Sequence, residues 1–237
     1  MNQSDLRPAR DFALQFGVKA IVYGGPGSGK TPVSLDTSPR PVALMSEPGF
    51  LSVRKSTVPT YPAFNSTKVD EFMRWFLGSH EAKNFDTLVW DSVSQAHEKR
   101  VEEELGTSTK GGNEQQGMRA YGVANRWAYK HLTDLYFLPN KHIILIAKLQ
   151  RFEVNDAIYN RPYFAGKELP VRVPHLFDEI LMLGKYNIPG VQTQPGESGT
   201  QAFRTKESFD TMARDRSGML QEFEPPNLSK IIAKCVA

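Results

Sequence analysis

At 237 residues the chain has room for one α/β domain with a sizeable core, or that domain plus a small appendage; its 40% hydrophobic and 23% charged content is ordinary for a soluble globular protein. A formal net charge of +3 is too weak to argue for a nucleic-acid partner, and the single cysteine, Cys235, excludes an internal disulfide. The N-terminal residues carry no apolar signal core and no stretch approaches membrane-span length, so the expectation is a soluble, cytoplasmic protein with no membrane partner.

One domain is expected over the whole chain, with residues 1–14 as an N-terminal arm and 219–237 as a C-terminal tail. The apolar run Val18-Lys19-Ala20-Ile21-Val22-Tyr23 predicts a strand over 18–23. Directly after it, Gly24, Gly25, Pro26, Gly27, Ser28, Gly29, Lys30 and Thr31 fill the phosphate-binding pattern G-x-x-x-x-G-K-[ST]. Glycines let successive backbone N–H groups turn inward around a polyphosphate, where a Cβ would obstruct them. Lys30 is expected to neutralise the β- and γ-phosphates, and the Thr31 hydroxyl to hold Mg²⁺. The helix opening near Gly29 would add its positive dipole end. A chance glycine-rich turn is the competing reading, and the strand–loop–helix context argues against it. Pro32 fits the first turn of that helix, where its missing N–H has no intrahelical partner.

Further strands are predicted over 41–46, 86–91, 141–147 and 178–183, with helices over 68–78, 92–105 and 119–137. Most of the strand runs lack polar alternation, as strands covered on both faces do. In the first of these helices Val69, Phe72, Met73, Phe76 and Leu77 form one stripe. The segments 106–118, 151–170 and 188–200 read as long loops, and 201–217 as two strands making a hairpin at a sheet edge. Strands alternating with helices after a phosphate loop predict a mostly parallel, doubly wound α/β sheet.

Two carboxylates complete the candidate site. Asp91 ends the strand Thr87-Leu88-Val89-Trp90 and is expected to support Mg²⁺ with Thr31; capping of the next helix by Asp91 or Ser92 is a second role that can coexist. Glu47 ends the preceding strand, where it could orient and deprotonate a water attacking the γ-phosphate; a solvated turn residue is the alternative. The five histidines show no zinc-ligand spacing, and Glu98 to Glu104 reads as a solvated helix face. ATP and Mg²⁺ are the expected ligands.

The phosphate loop, a strand ending near Glu47-Pro48-Gly49 and an apolar strand ending in Asp91-Ser92 resemble the core of RecA/Rad-type recombination ATPases. Arg161-Pro162-Tyr163-Phe164-Ala165-Gly166-Lys167 and Val173-Pro174-His175-Leu176-Phe177-Asp178-Glu179 are similar to a phage subgroup of small, core-only ATPases proposed for single-strand annealing and recombination. The likeness covers roughly 15–232. It implies a RecA-like P-loop NTPase core, a mostly parallel sheet flanked by helices with a C-terminal β-hairpin edge. It implies an ATP hydrolase acting on single-stranded DNA, assembled as a homo-oligomeric ring or filament with ATP at subunit interfaces, in the host cytoplasm. A single-strand-binding protein is admitted as a further partner.

The same resemblance makes 141–150 the γ-phosphate sensor strand. This chain departs there from the Asn-Gln pair or His usual in relatives, leaving Gln150 or Lys148 as the sensor. Arg214 and Arg216 look like the cations such assemblies send into a neighbour's site, against a solvated turn pairing with Asp215. Two loops correspond to the DNA channel. The first offers Lys110 and Arg119; the second offers Arg151, Phe152, Tyr159, Arg161, Tyr163 and Lys167, whose charges could track phosphates while rings stack on bases. The opposing reading makes Tyr163 and Phe164 core anchors. Two other functions stay open: a nucleotide or small-molecule kinase, which would transfer rather than release phosphate, and a nucleotide-gated loading factor that barely hydrolyses ATP.

Overall fold

The computed structural model describes Leu6, Pro8, Phe12 and residues 15–106, 114–154, 157–192 and 198–237. Six parallel strands form its centre: β1 (Lys19–Gly24), β2 (Pro41–Met45), β3 (Thr60–Pro62), β4 (Thr87–Asp91), β5 (His142–Val154) and β7 (Glu179–Tyr186). Antiparallel pieces extend them: β6 (Ala157–Pro162) on β5, β8 (Thr200–Arg204) and β9 (Arg214–Asp215) on β7, and β10 (Phe223–Glu224) on β8. The main order is β10-β8-β7-β1-β5-β4-β2-β3. A mostly parallel α/β sheet was the expected fold, and this order gives it.

The apolar runs of the central strands serve two layers at once. Ile21, Tyr23, Leu88, Trp90, Ile143 and Leu145 face one core; Ala20, Val22, Val89, Ile144 and Ile146 face the other. Alternate side chains of a strand point to opposite faces, so strands covered on both sides must be apolar throughout. The first core is closed by α2 (Ser66–Gly78), α3 (Val93–Gly106) and α4 (Glu114–Tyr136), and the second by α1 (Lys30–Thr37). Asn65 starts α2 by accepting the Lys68 N–H at 2.9 Å. Val69, Phe72, Met73 and Phe76 are buried along the predicted stripe, each contributing about 1.5–3 kcal/mol of transfer free energy. Leu77 of that stripe is exposed.

Residues 219–237, expected as a tail, carry structure. After β10, Asn227 caps a short helix over Leu228–Cys235 by accepting the Lys230 N–H. With the one-turn α5 (Leu169–Arg172) before it, this helix is α6. Leu228, Ile231 and Ile232 fill the second core, while Leu228 N–H and Ser229 Oγ bond to Thr37 at the end of α1. The helix that follows the phosphate loop is thus braced from its far end.

Three expectations are corrected. Segments 151–154 and 157–162 are strands, not loop: β5 runs on to Val154 and β6 pairs back on it, with Gln150 opposite Arg161 and Phe152 opposite Tyr159. The two tail strands do not pair with each other; β8 and β9 lie in succession along the same edge of β7, and the hairpin is β7 with β8. The acidic run on α3 is not simply solvated, since Glu103 accepts from Ser66 and Glu98 from Lys148.

Candidate nucleotide site

β1 is buried along its whole length between β5 and β7, and its C-terminal end opens into the loop Gly24–Thr31. Such crevices, where connections leave the strand tips in opposite directions, are where open α/β sheets take ligands. Two glycines are obligatory for local reasons. A Cβ on Gly24 would lie 2.3 Å from the Leu183 carbonyl oxygen on β7, so only glycine lets the loop leave the sheet this closely. Gly29 has φ +87°, a left-handed conformation costly to other residues, and its N–H starts α1 without an intrahelical partner.

Lys30 Nζ donates to the carbonyls of Gly24 at 2.9 Å and Gly25 at 3.0 Å, so the ammonium lies across the loop's own concavity. Burial lowers its pKa, and the charges of Asp91 and Glu47 oppose that. Asp91, 1% exposed, accepts the Thr31 hydroxyl at 2.5 Å on Oδ2, while Oδ1 has no partner. Burial pushes the Asp91 carboxyl up to about 6, the Thr31 hydrogen bond works against this, and Glu47 adds to it. The pair Met45–Asp91 aligns the ends of β2 and β4, and Ser46 N–H donates to the Asp91 carbonyl at 2.5 Å. That brings Glu47, half-buried, to the same edge. Ser92 caps α3 by accepting the Gln95 N–H, so the carboxylate of Asp91 is left for the site.

These groups fit a triphosphate with a divalent cation. The loop supplies the glycine cradle, a lysine bonded to main-chain oxygens and a hydroxyl, and the end of β4 supplies a buried carboxylate with one orphan oxygen beside that hydroxyl. Magnesium keeps several waters and takes few protein ligands, so a large carboxylate cluster is not required; among the described residues no group of three or more His, Cys, Asp or Glu is gathered.

The two sensor candidates are engaged elsewhere. Lys148 lies opposite Gly24 in the register, but its Nζ bonds Gln95 and Glu98 of α3. Gln150 accepts the Arg161 Nε–H at 2.8 Å. Arg214 and Arg216 sit beside the start of β7, the end of the sheet opposite their own loop. Arg214 Nη1 donates to the carbonyls of Pro174 and Phe177, and Arg216 donates to Asp178 and the His175 carbonyl. Their donors hold the 174–178 segment of their own chain.

Of the expected DNA contacts, Lys110 lies outside the described residues. Arg119, Arg151 and Lys167 are exposed. Phe152, Tyr159 and Arg161 form one ladder on the hairpin: the Arg161 guanidinium is 4.0 Å from the Phe152 ring centroid, and the Phe152 and Tyr159 rings meet edge-on at 5.5 Å. The Tyr159 hydroxyl donates to Glu207, and burial pushes its pKa up to about 12. Phe164 is fully buried in the first core, which is the core-anchor reading, and Tyr163 is half-buried. Sequence reasoning missed Gln201 of β8, whose Nε2 donates to the Ser28 carbonyl in the loop at 2.6 Å. Nothing in the local sequence around 201 marks it, because only the pairing of β8 with β7 carries it there.

A family model described as "AAA domain" matches residues 17–217, and the chain belongs to that family. Among curated proteins nothing matches it. Solved structures similar to it include the RadB recombinase, at 16% identity and a TM-score of 0.39, covering 82% of this chain and 92% of that one. A second is an ATPase from the type III secretion system of pathogenic bacteria, at 12% identity and 0.43, covering 74% and 55%. A third is the KaiC-like protein PH0186 from Pyrococcus horikoshii OT3, at 12% identity and 0.33, covering 79% and 84%. Among the described residues no helix is long and apolar enough to cross a membrane.

Proposed function

We propose that the chain is a Mg²⁺-dependent ATP hydrolase of RecA-like type. The observation that carries the reading is the convergence of Lys30, Thr31, Asp91 and Glu47 on one strand edge around a glycine nest. An arriving triphosphate replaces the Gly24 and Gly25 carbonyls as the partner of Lys30, exchanging neutral acceptors for charged oxygens, which make stronger hydrogen bonds. Thr31 and Asp91 would hold Mg²⁺, which would supply neutralisation of the phosphate charge. Glu47 accepts a proton from water as its oxygen bonds to the γ-phosphorus and the bond to the β–γ bridging oxygen breaks, giving ADP and phosphate.

The same proposal takes single-stranded DNA as the polymer on which the ATPase acts, in recombination or strand annealing, and an oligomer as its working form. Exposed Arg119, Arg151 and Lys167 support a backbone contact; the Phe152–Tyr159–Arg161 ladder would have to open before its rings could stack on bases. Phosphate release with ATP, measured with and without single-stranded DNA over a protein-concentration series, tests each part. Hydrolysis raised by DNA supports the full reading, whereas hydrolysis indifferent to DNA removes the polymer. Absence of hydrolysis in every condition, with Mg²⁺ present, removes the enzyme.

A further inference from the structure

A trans peptide unit sets its carbonyl and the following N–H in opposite directions across one plane. Whatever fixes the Ser28 carbonyl therefore also aims the Gly29 N–H. In this chain the carbonyl is fixed from outside the loop, by the Gln201 side-chain amide at 2.6 Å. Gln201 reaches it because β8 pairs antiparallel with β7, placing Gln201 opposite Lys185, and because β7 runs against the loop so closely that Gly24 has no room for a Cβ. The approach is tight on the glycine too: a Cβ on Gly29 would meet Gln201 Nε2 at 2.8 Å. Within the loop, the main-chain bond across this turn, Ser28 N–H to the Gly25 carbonyl, is long at 3.3 Å. Left-handed glycine is soft, with many conformations available at little cost, so an external clamp has something to do.

We infer that Gln201 is a positioning residue for the phosphate loop, holding the Ser28–Gly29 peptide so that the Gly29 N–H points into the nest that takes the triphosphate. The inference rests on the nucleotide reading above and deepens it. It assigns a role in ligand geometry to the antiparallel edge of the sheet, which lies outside the strand–loop–helix unit. Gln201 donates to the loop and need not touch the nucleotide. Its loss leaves the Gly29 peptide free to rotate, and one donor to the phosphates is no longer set in advance. Gln201→Glu is the sharper change: it keeps the shape, loses the donor, and turns a carboxylate oxygen toward the Ser28 carbonyl.

The test is a fluorescence titration of the full chain with N-methylanthraniloyl-ATP and Mg²⁺, alongside N-methylanthraniloyl-adenosine, which has no phosphates. Wild type, Lys30→Ala, Gln201→Ala and Gln201→Glu are compared, with melting temperatures taken without nucleotide. The expected result is triphosphate affinity reduced about fivefold in Gln201→Ala, the worth of one ordinary hydrogen bond, and on the order of tenfold or more in Gln201→Glu. Adenosine binding and melting temperature should stay near the wild-type values. Triphosphate affinity equal to wild type in both Gln201 variants, with Lys30→Ala impaired, overturns the role of Gln201 and leaves the nucleotide site standing. An equal loss of adenosine and triphosphate binding also overturns it, since that marks general damage. No triphosphate binding by the wild type removes the site and this inference together.

Discussion

The two ends of one sheet carry buried charge in opposite ways. At the loop end, Lys30 rests on two main-chain oxygens, one oxygen of Asp91 has no partner, and the Ser28 hydroxyl has none either. At the other end, Lys19, 1% exposed, donates to three carbonyls, of Phe16, Leu138 and Lys141, while its own N–H bonds Asp178. Arg214 and the exposed Arg216 each bond two acceptors of the 174–178 segment there. Lys19 is thus committed to fixed main-chain acceptors, whereas both acceptors of Lys30 lie in the loop itself, where the charged oxygens of a phosphate can replace them. Lys19 closes the bottom of the domain; Lys30 waits at the top.

Exchanging the two lysines' roles by mutation gives the largest expected contrast. Lys30→Ala should cut hydrolysis on the order of a hundredfold or more, the cost of losing a charged donor at a transferring group, with little change in melting temperature. Lys19→Met should do the reverse. It leaves three carbonyls without the donor that covers them, at about 1–3 kcal/mol for each that finds no water, and should lower the melting temperature sharply. Turnover per folded molecule should persist. A Lys30 variant that fails to fold, or a stable Lys19 variant, would break the comparison.

Glu47→Gln sharpens the upper end. The amide keeps the size of the side chain but cannot accept a proton, so turnover should fall about 10²–10⁴-fold while nucleotide affinity holds. Rate and affinity measured on the same preparation check it; normal turnover would remove Glu47 from the chemistry.

Arg214→Ala sharpens the lower end. Cations acting across a subunit interface would cost about 10³–10⁵ in rate when removed. The bonds to Pro174 and Phe177 predict instead a stability loss of about 1–2 kcal/mol, read by denaturant unfolding, with turnover per folded molecule near that of wild type. A rate collapse in a protein of unchanged stability would restore the trans-acting role.

The upper end was legible in the sequence because its chemistry is local. A phosphate loop is eight consecutive residues, and Asp91 and Glu47 are marked by the apolar strands they end. The lower end was not, since Arg214 reads as a basic turn until β9 is seen pairing beside Glu179 and Ile180. The pairing of 151–154 with 157–160 was hidden by its composition: Arg151, Glu153, Asn160 and Arg161 look like a loop, and only cross-strand pairing of Phe152 with Tyr159 reveals the strands. For α6 there was a readable signal that went unused, an Asn cap at 227 followed by Leu228, Ile231 and Ile232 at helical spacing. Gln201 had none, because its function is a contact with Ser28 across 173 positions of chain.

The smallest expected effect separates the two buried acids. Burial raises Asp91 to about 6 and Glu179 from its usual 4.5 to about 8, the latter aided by Asp215 and opposed by the Ser217 N–H. Both shifts favour the protonated, neutral form in the folded state. Each acid therefore contributes stability that is complete below its unfolded pKa and is lost as pH rises through its folded value. Where they differ is in what can offset the loss. A cation beside Asp91 pairs with its carboxylate, so with nucleotide and Mg²⁺ the penalty at that end should vanish above pH about 6. Among the described residues no cation acts on Glu179, so its penalty should remain. The melting temperature of the nucleotide-loaded chain should thus still fall as pH rises from 4.5 through about 8. Glu179→Gln, neutral at every pH and of the same shape, should flatten that slope by a few degrees while leaving hydrolysis alone. A slope unchanged by Glu179→Gln, but removed by Asp91→Asn, would place the titrating acid at the loop end instead.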